Sequence, residues 1–289
     1  MKRSSRAFID AAIAMYPWLK GAGMAMEQRQ TTSAANGRLW GAAAADWAAI
    51  QEQSCRAVYT ATFDRMGVGA ETQYLDVGCG AGMAVQLAAE RGAQVSGLDA
   101  AENLLAIALE RVPKGHFHIG ELENLPFPDG CFDLVTGFNS FQYAANPGSA
   151  LAEAKRVARR GSHVVVMTWG KPDGMEAASL VAALRPLLPP PPPGAPGPFA
   201  LSEEAALRAF AASAGLEPLE VFDVDSPWQY ADLATALRGL RSSGVAARAI
   251  ENSSAEAVDA AHARALAVFR QSDGSYKIGA SFRSLVTRA

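Results

Sequence analysis

Between residues 73 and 169 short apolar runs alternate with helix-length segments, and no other feature restricts the fold of this chain so strongly. "QYLDVG" reads as a strand, "MAVQLAAERG" as a helix closed by Gly92, "AQVSGLD" as the next strand and "AENLLAIALERV" as the next helix. "GHFHIG" and "CFDLVTGF" read as a third and a fourth strand, "PGSALAEAKRVARRG" as a helix and "SHVVVMTW" as a fifth strand. Continuous apolar strands separated by helices of this length call for a parallel α/β sheet covered on both faces.

The pattern then changes. "LRPLLPPPPPGAPGPFA" holds eight of the sixteen prolines and is neither helix nor central strand. It reads as a stiff connector or as a loop shaping the mouth of a pocket. "LSEEAALRAFAASAGL" reads as a helix opened by Ser202, and "EPLEVFDVDS" as a strand. Residues 230 to 271 read as two or three helices, the last opened by Ser253 with Glu256 three positions on, and "YKIGASFRSLVTRA" as a bent final strand. The expected layout is an N-terminal helical segment over the site (1–70), a core (71–225), a helical cap inserted between late strands (226–275) and a last core strand (276–289).

A net charge of −3 with 19% charged residues provides no basic field to hold nucleic acid or an anionic membrane. No apolar run reaches the roughly 18 residues of a membrane span, so no stable membrane insertion is expected. Cys55, Cys79 and Cys131 lack CxxC spacing and are odd in number, which points away from a disulfide framework and towards a reducing cytoplasm. His116, His118, His163 and His262 have no metal-ligand spacing, so no metal is expected. Asp10 and Pro17 interrupt the apolar start, which reads as a helix carrying Phe8, Ala11, Ala12, Met15 and Leu19 rather than as a cleaved signal.

Gly78, Gly80 and Gly82 follow the first strand and open a helix, so backbone N–H groups there can approach a ligand closely. The spacing G-x-G-x-G is not the dinucleotide fingerprint, since Met83 stands where the third glycine belongs, and the Gly-Lys-Ser/Thr of a P-loop is missing. Asp76, two residues before the first glycine, would repel a pyrophosphate but suits loop ordering or an ammonium group. The ligand is therefore expected to carry an amino group and a ribose, and no phosphate.

"LDVGCGAG" resembles the first motif of the class I S-adenosylmethionine-dependent methyltransferases, and "GLDAAENLLAIA" is similar to their second. "GELENLPFPDGCFDLVTGFNSFQY" and "ALAEAKRVARRGSHVVVMTWG" resemble the stretches that follow, in the small-molecule group that includes ubiquinone and menaquinone C-methyltransferases. The resemblance runs from about Trp40 to the C-terminus and implies a Rossmann-like, doubly wound, seven-stranded sheet with one antiparallel strand and a helical cap. It implies S-adenosylmethionine as cofactor, S-adenosylhomocysteine as product, and binding through Asp76, Gly78, Cys79, Gly80 and Gly82. Asp99 with Ala100 would meet the ribose, Glu121 and Leu122 the adenine, and Asn139 the junction of methyl donor and acceptor.

On the acceptor side, Trp40, Trp47 and Gln51 share a helical face, and Gln142 and Tyr143 stand near the junction. They suit a small, largely apolar or aromatic substrate bound by a monomer or homodimer. His262 lies on the apolar stripe of the last helix, either as a base facing a pocket or as a packing residue. Methyl transfer from a sulfonium is an in-line displacement that needs alignment more than a base, so no single histidine is expected to be indispensable. A protein that binds the cofactor for regulation without turnover is the competing class.

Overall fold

The computed structural model describes residues 32–190 and 197–289. The expected helix over residues 8–19, its signal-like start and the middle of the proline run lie outside the described residues. The strands are β1 (Gln73–Val77), β2 (Gln94–Asp99), β3 (His116–Ile119), β4 (Phe132–Phe138), β5 (Ala158–Trp169), β6 (Glu217–Asp225), β7 (Trp228–Tyr230), β8 (Tyr276–Ile278) and β9 (Ser281–Arg288). Seven of them form one sheet in the order β3-β2-β1-β4-β5-β9-β6. Only β9 runs against its neighbours in that sheet, pairing antiparallel with both β5 and β6. This is the expected mostly parallel, Rossmann-like architecture.

Alternation along each strand builds two cores. Leu75, Val77, Val135, Val164 and Val166 face the helices Pro147–Val157 and Glu204–Ser213, meeting Leu151, Leu207 and Phe210. Tyr74, Leu134, Val165 and Met167 face the other way, meeting Phe63 and Val85 of the helices Arg56–Met66 and Met83–Glu90. Each such side chain contributes about 1.5–3 kcal/mol when fully buried.

Several boundaries differ from the sequence reading, each for a local reason. The helix entered at Pro147, with Asn146 Oδ1 accepting from the Ser149 N–H at 3.0 Å, stops at Val157. Ala158 already pairs with Phe132, so the "ARRG" expected in the helix begins β5 instead. Ser202 does not cap its helix. Its hydroxyl donates to the Trp169 carbonyl at 3.0 Å, and Glu203 holds the cap position. Ser254, not Ser253, caps the helix Ala255–Leu266, accepting from Ala257 N–H at 3.2 Å, while Ser253 donates back to Ala249 O. The last segment is two strands rather than one bent one: β8 leaves the main sheet and pairs antiparallel with β7.

The β7–β8 ribbon and the helices Leu233–Arg241, Gly244–Asn252 and Ala255–Leu266 form a cap over the carboxyl ends of the strands. Its apolar cluster joins Trp228, Tyr230, Leu240, Leu266 and Ile278 to Leu180 of the short helix Ala177–Ala183.

The segment before β1 is not one helix. The helix Ser33–Gly41 breaks, and after a short turn come a π turn at Trp47–Gln51, a 3-10 turn at Glu52–Cys55 and the helix Arg56–Met66. Trp40, Trp47 and Gln51 therefore do not share a continuous helical face. Glu52, 2% exposed, organises this irregular stretch. Its Oε2 accepts from Arg111 Nη1 at 2.5 Å and its Oε1 from the Met83 N–H at 3.2 Å. Arg111 also donates to the carbonyls of Ala81 and Ala48, both at 2.8 Å. Burial raises the Glu52 carboxyl pKa, with Arg111 opposing.

Removing one partner of a buried pair strands the other charge. Arg111→Leu should cost about 3–5 kcal/mol in chemical denaturation, and Glu52→Leu with Arg111→Leu together should recover part of that loss. A single-variant loss under about 1 kcal/mol would show the pair to be dispensable.

Candidate functional site

The strand order reverses between β1 and β4, and ligands of open parallel sheets sit in the crevice beyond the carboxyl ends at such a point. Two cavities lie there. The first is lined by Gly78, Gly80, Asp99, Ala100, Glu121, Leu122 and Asn139 together with Trp40, Trp47 and Tyr143. The second lies under the cap and is lined by Gln51, Trp169, Leu180, Trp228, His262 and Phe282 among others. Trp40, Trp47, Cys55, Asn139 and Tyr143 line both, so the cavities meet at these five residues.

The glycine loop follows β1 with left-handed backbone at Gly78 (φ 81°), Gly80 (φ 54°) and Gly82 (φ 82°). A Cβ on Gly78 would stand 2.4 Å from that of Ser140, and one on Gly82 would stand 2.7 Å from that of Ala108. The first glycine thus admits the loop after β4 while lining the cavity, and the last admits the helix Glu102–Arg111. Gly78 and Cys79 donate to the Leu98 carbonyl at 2.7 and 3.0 Å, tying the loop to the end of β2.

Asp99 ends β2. Its Oδ2 accepts from Gly80 N–H and its Oδ1 from Ala101 N–H, both at 2.8 Å. Each oxygen keeps acceptor capacity on the cavity side. Burial pushes its pKa up against those backbone hydrogen bonds. Glu121, after β3, accepts from Ser33 N–H at 3.3 Å. No Lys, Arg or His is among the described residues lining the first cavity, whereas Asp99, Glu121 and Glu123 are, so it suits a cationic ligand and opposes a phosphate.

Asn139 follows β4 and is the one non-glycine with positive φ (57°) among the described residues. Such backbone is held by its surroundings and clusters at functional sites. Here Asn139 N–H donates to Met167 O at 3.0 Å, and Ser140 Oγ donates to Val77 O at 2.6 Å. Gln142 lines neither cavity: its amide donates to Asn139 Oδ1 and so orients Asn139. Trp40 sits edge-on to Trp47 and to Tyr143, with ring centroids 5.1 and 5.4 Å apart.

Asp76, Cys79 and Gly82, expected at the ligand, do not line the first cavity. Asp76 is 2% exposed and lies opposite Thr136 on the neighbouring strand, whose Oγ1 donates to it at 2.7 Å. Its pKa is pushed up to about 7 by burial, with Asp99 and Glu52 adding repulsion and Thr136 opposing. Sequence reasoning missed Cys55 and Tyr59, which continue the four-residue spacing of Trp47 and Gln51 and line the first cavity beside Trp47. It also missed Trp169 in the second, though that residue ends a quoted motif, and Trp228 and Phe282, which carry no motif.

His262 lines the second cavity, is 2% exposed and has no hydrogen-bond partner at Nδ1. Burial pushes its pKa down to about 4. His116, His118 and His163 line neither cavity. The cap meets the irregular segment before β1 (residues 33–66, the lid) through Tyr230, whose hydroxyl donates to Gln51 Oε1 at 2.7 Å, and through Arg238 on Asp46. Among the described residues no helix is long and apolar enough to cross a membrane, and no metal-binding cluster of His, Cys, Asp and Glu occurs.

Residues 75–166 match a family model described as a methyltransferase domain. Over 96 residues the chain is 35% identical to malonyl-[acyl-carrier protein] O-methyltransferase from Serratia marcescens, covering 33% of this chain and 38% of that protein. Over 126 residues it is 33% identical to demethylmenaquinone methyltransferase from Tropheryma whipplei strain Twist, covering 43% of this chain and 53% of that protein. The chain thus spans about half or less of the length of these curated relatives. A solved structure of a candidate methyltransferase from Bacillus halodurans C-125 shares the fold, with a TM-score of 0.52 over 80% of this chain and 97% of that one at 14% identity.

The electrostatics of Asp76 set a pH dependence. Its folded pKa of about 7 lies above the ordinary 3.8, so the native state holds an extra proton between those values. Stability from this group is therefore lost as pH rises from about 4 to about 7. Asp76→Asn keeps an acceptor for Thr136 and removes the titration. Its stability relative to wild type should rise across that window and level off above it, as read by urea midpoints at about pH 5, 6 and 8. A difference independent of pH would show that the carboxyl is not shifted.

Proposed function

We propose that the chain, which carries a methyltransferase domain at residues 75–166, transfers a methyl group from S-adenosylmethionine to a small, largely apolar or aromatic molecule. The observation that carries this reading is the meeting of an acidic cavity with an apolar one at Asn139 and Tyr143. The fit to the cofactor rests on donor and acceptor chemistry. Asp99 has acceptor capacity for ribose hydroxyls, and Glu121 with Leu122 stands where adenine would lie. The edges and faces of Trp40, Trp47 and Tyr143 surround the junction, where cation–π attraction to a sulfonium would contribute about 0.5–2 kcal/mol. Asp76, set back from the cavity, would support the loop rather than touch the ligand.

When bound, the cofactor supplies a methyl group already activated by its positive sulfur. The residues of this chain then bind, orient and exclude water. Asn139, fixed by Gln142 and by Met167 O, would hold the acceptor in line with that methyl group. Orientation of this kind supplies roughly 7–11 kcal/mol, against about 10²–10⁴-fold for a general base. His262, with its pKa pushed down to about 4, is a weak base at neutral pH, which supports transfer by positioning.

Of the acceptors named for the relatives, demethylmenaquinone is uncharged and a malonyl group is an anion, and the uncharged lining of the second cavity supports the former type. A protein that only sensed the cofactor would share the first cavity. The second, opening on Asn139, favours an enzyme.

Calorimetry should show S-adenosylmethionine and S-adenosylhomocysteine binding to wild type, with Asp99→Ala weaker by about 1.5–3 kcal/mol. Absence of binding, or NAD bound in its place, would overturn the cofactor assignment. With labelled cofactor and a panel of phenols, quinones and amines, methyl transfer should appear, and Asn139→Ala should slow single-turnover transfer while leaving cofactor affinity nearly intact. No transfer to any member, with tight cofactor binding, would favour the regulatory class.

A further inference from the structure

We infer that the second cavity selects an uncharged aromatic molecule bearing a hydroxyl or similar hydrogen-bonding group, and that His262 is the residue that orients it. This deepens the methyl-transfer reading and rests on it for the direction in which the acceptor faces Asn139. Three observations carry it independently of the cofactor.

The first is charge. No Asp, Glu, Lys or Arg is among the described residues that line this cavity. An ion entering it would leave water with no countercharge, so a charged guest binds more weakly than an uncharged one of the same shape. The second is the wall. Trp40, Trp47, Trp169, Trp228 and Phe282 line it, and Trp169 lies between Trp228 and Phe282 with centroids 5.8 and 5.2 Å away. Planar aromatic walls of this extent match a planar aromatic guest, since offset and edge-on ring contacts add to the gain from area alone.

The third is polar. Within this apolar wall two buried groups have no hydrogen-bond partner: the Trp228 indole N–H and His262 Nδ1. The two residues are 4% and 2% exposed. A buried polar group left unpaired is costly, and the great majority in folded proteins find partners. Nδ1 has no surface open to water, so a guest hydroxyl or carbonyl would bond it once the His262 ring turns toward the cavity that the residue lines, and would then satisfy the imidazole. Burial keeps that ring neutral at physiological pH, so it offers both a donor and a lone pair and discriminates by hydrogen bonding rather than by charge. His262 is thus a positioning residue, and its loss should raise KM more than it lowers kcat.

The test is calorimetry on the full chain with three probes of one ring system: 2-naphthol, 2-naphthoate and 2-naphthylmethylammonium, each with and without saturating S-adenosylhomocysteine. Wild type should bind the neutral naphthol at least about tenfold more tightly than either ion, consistent with the lack of a countercharge. His262→Leu should weaken naphthol binding by about 3–10-fold, the scale of one hydrogen bond, and leave S-adenosylhomocysteine affinity unchanged, while His262→Gln restores most of the loss. Either ion binding as tightly as naphthol, no naphthol binding with S-adenosylhomocysteine present, or an unchanged naphthol affinity in His262→Leu would overturn the inference. The comparison of probes on wild type needs no variant to fold. Naphthol selectivity without any binding of S-adenosylhomocysteine would support the inference while sinking the methyl-donor reading. The reverse pattern would sink the inference alone.

Discussion

The buried pair of Glu52 and Arg111 is the interaction on which the rest of the site depends. It joins three pieces that also share the apolar cluster of Ala44, Ala48, Ala81, Ala101 and Leu104: the lid at Ala48, the glycine loop at Ala81 and Met83, and the helix ending at Arg111. Because the lid passes through a π turn and a 3-10 turn, its backbone leaves a carbonyl for the guanidinium. The order of dependence is then traceable. Glu52 holds the first residue of the helix after the loop, the loop holds Asp99 through Gly80 N–H, and Asp99 faces the cavity.

That arrangement concentrates negative charge. Burial raises the pKa values of Glu52, Asp76 and Asp99 alike, and for Asp76 the other two add to the effect. Arg111 faces Glu52 but not the cavity. A cation bound beside Asp99 would ease this repulsion, so ligand affinity and the protonation of carboxyls deep in the sheet are linked. The apolar cavity across Asn139 has the opposite character, and the change in polarity occurs within the five residues the two cavities share.

How much of this was legible in the sequence follows from the range of the forces involved. Strand and helix patterns between residues 73 and 169, the glycine loop and Asp99 are local, and their periodicity and spacing carry them. Helix caps failed by one residue at Ser202, whose hydroxyl donates to the distant Trp169 carbonyl, and at Ser253, where the neighbouring Ser254 competes for the same backbone donor. The π turn at Trp47–Gln51 was invisible, since an alanine-rich stretch supports a regular helix equally well and tertiary contacts decide. Asp76 and Gly82 carry a motif yet serve the loop's neighbours, Thr136 and Ala108. The second cavity gathers Trp169, Leu180, Trp228, His262 and Phe282 from segments far apart in the chain, and no spacing rule reaches across them.

The cap departs from β6 and returns to β9 at residues already paired in the sheet, Asp225 opposite Ser281. The segment between them is therefore a closed loop whose two ends are fixed side by side, with β7 and β8 continuing the closure as a short ribbon. Doubling the length of such a loop raises its closure entropy by only about 0.6 kcal/mol. Insertions, deletions or an entire exchange of this segment can thus alter the walls around a guest molecule while the sheet, the glycine loop and the acidic cavity keep their register. In evolutionary terms the wall of the second cavity is the replaceable part of the molecule.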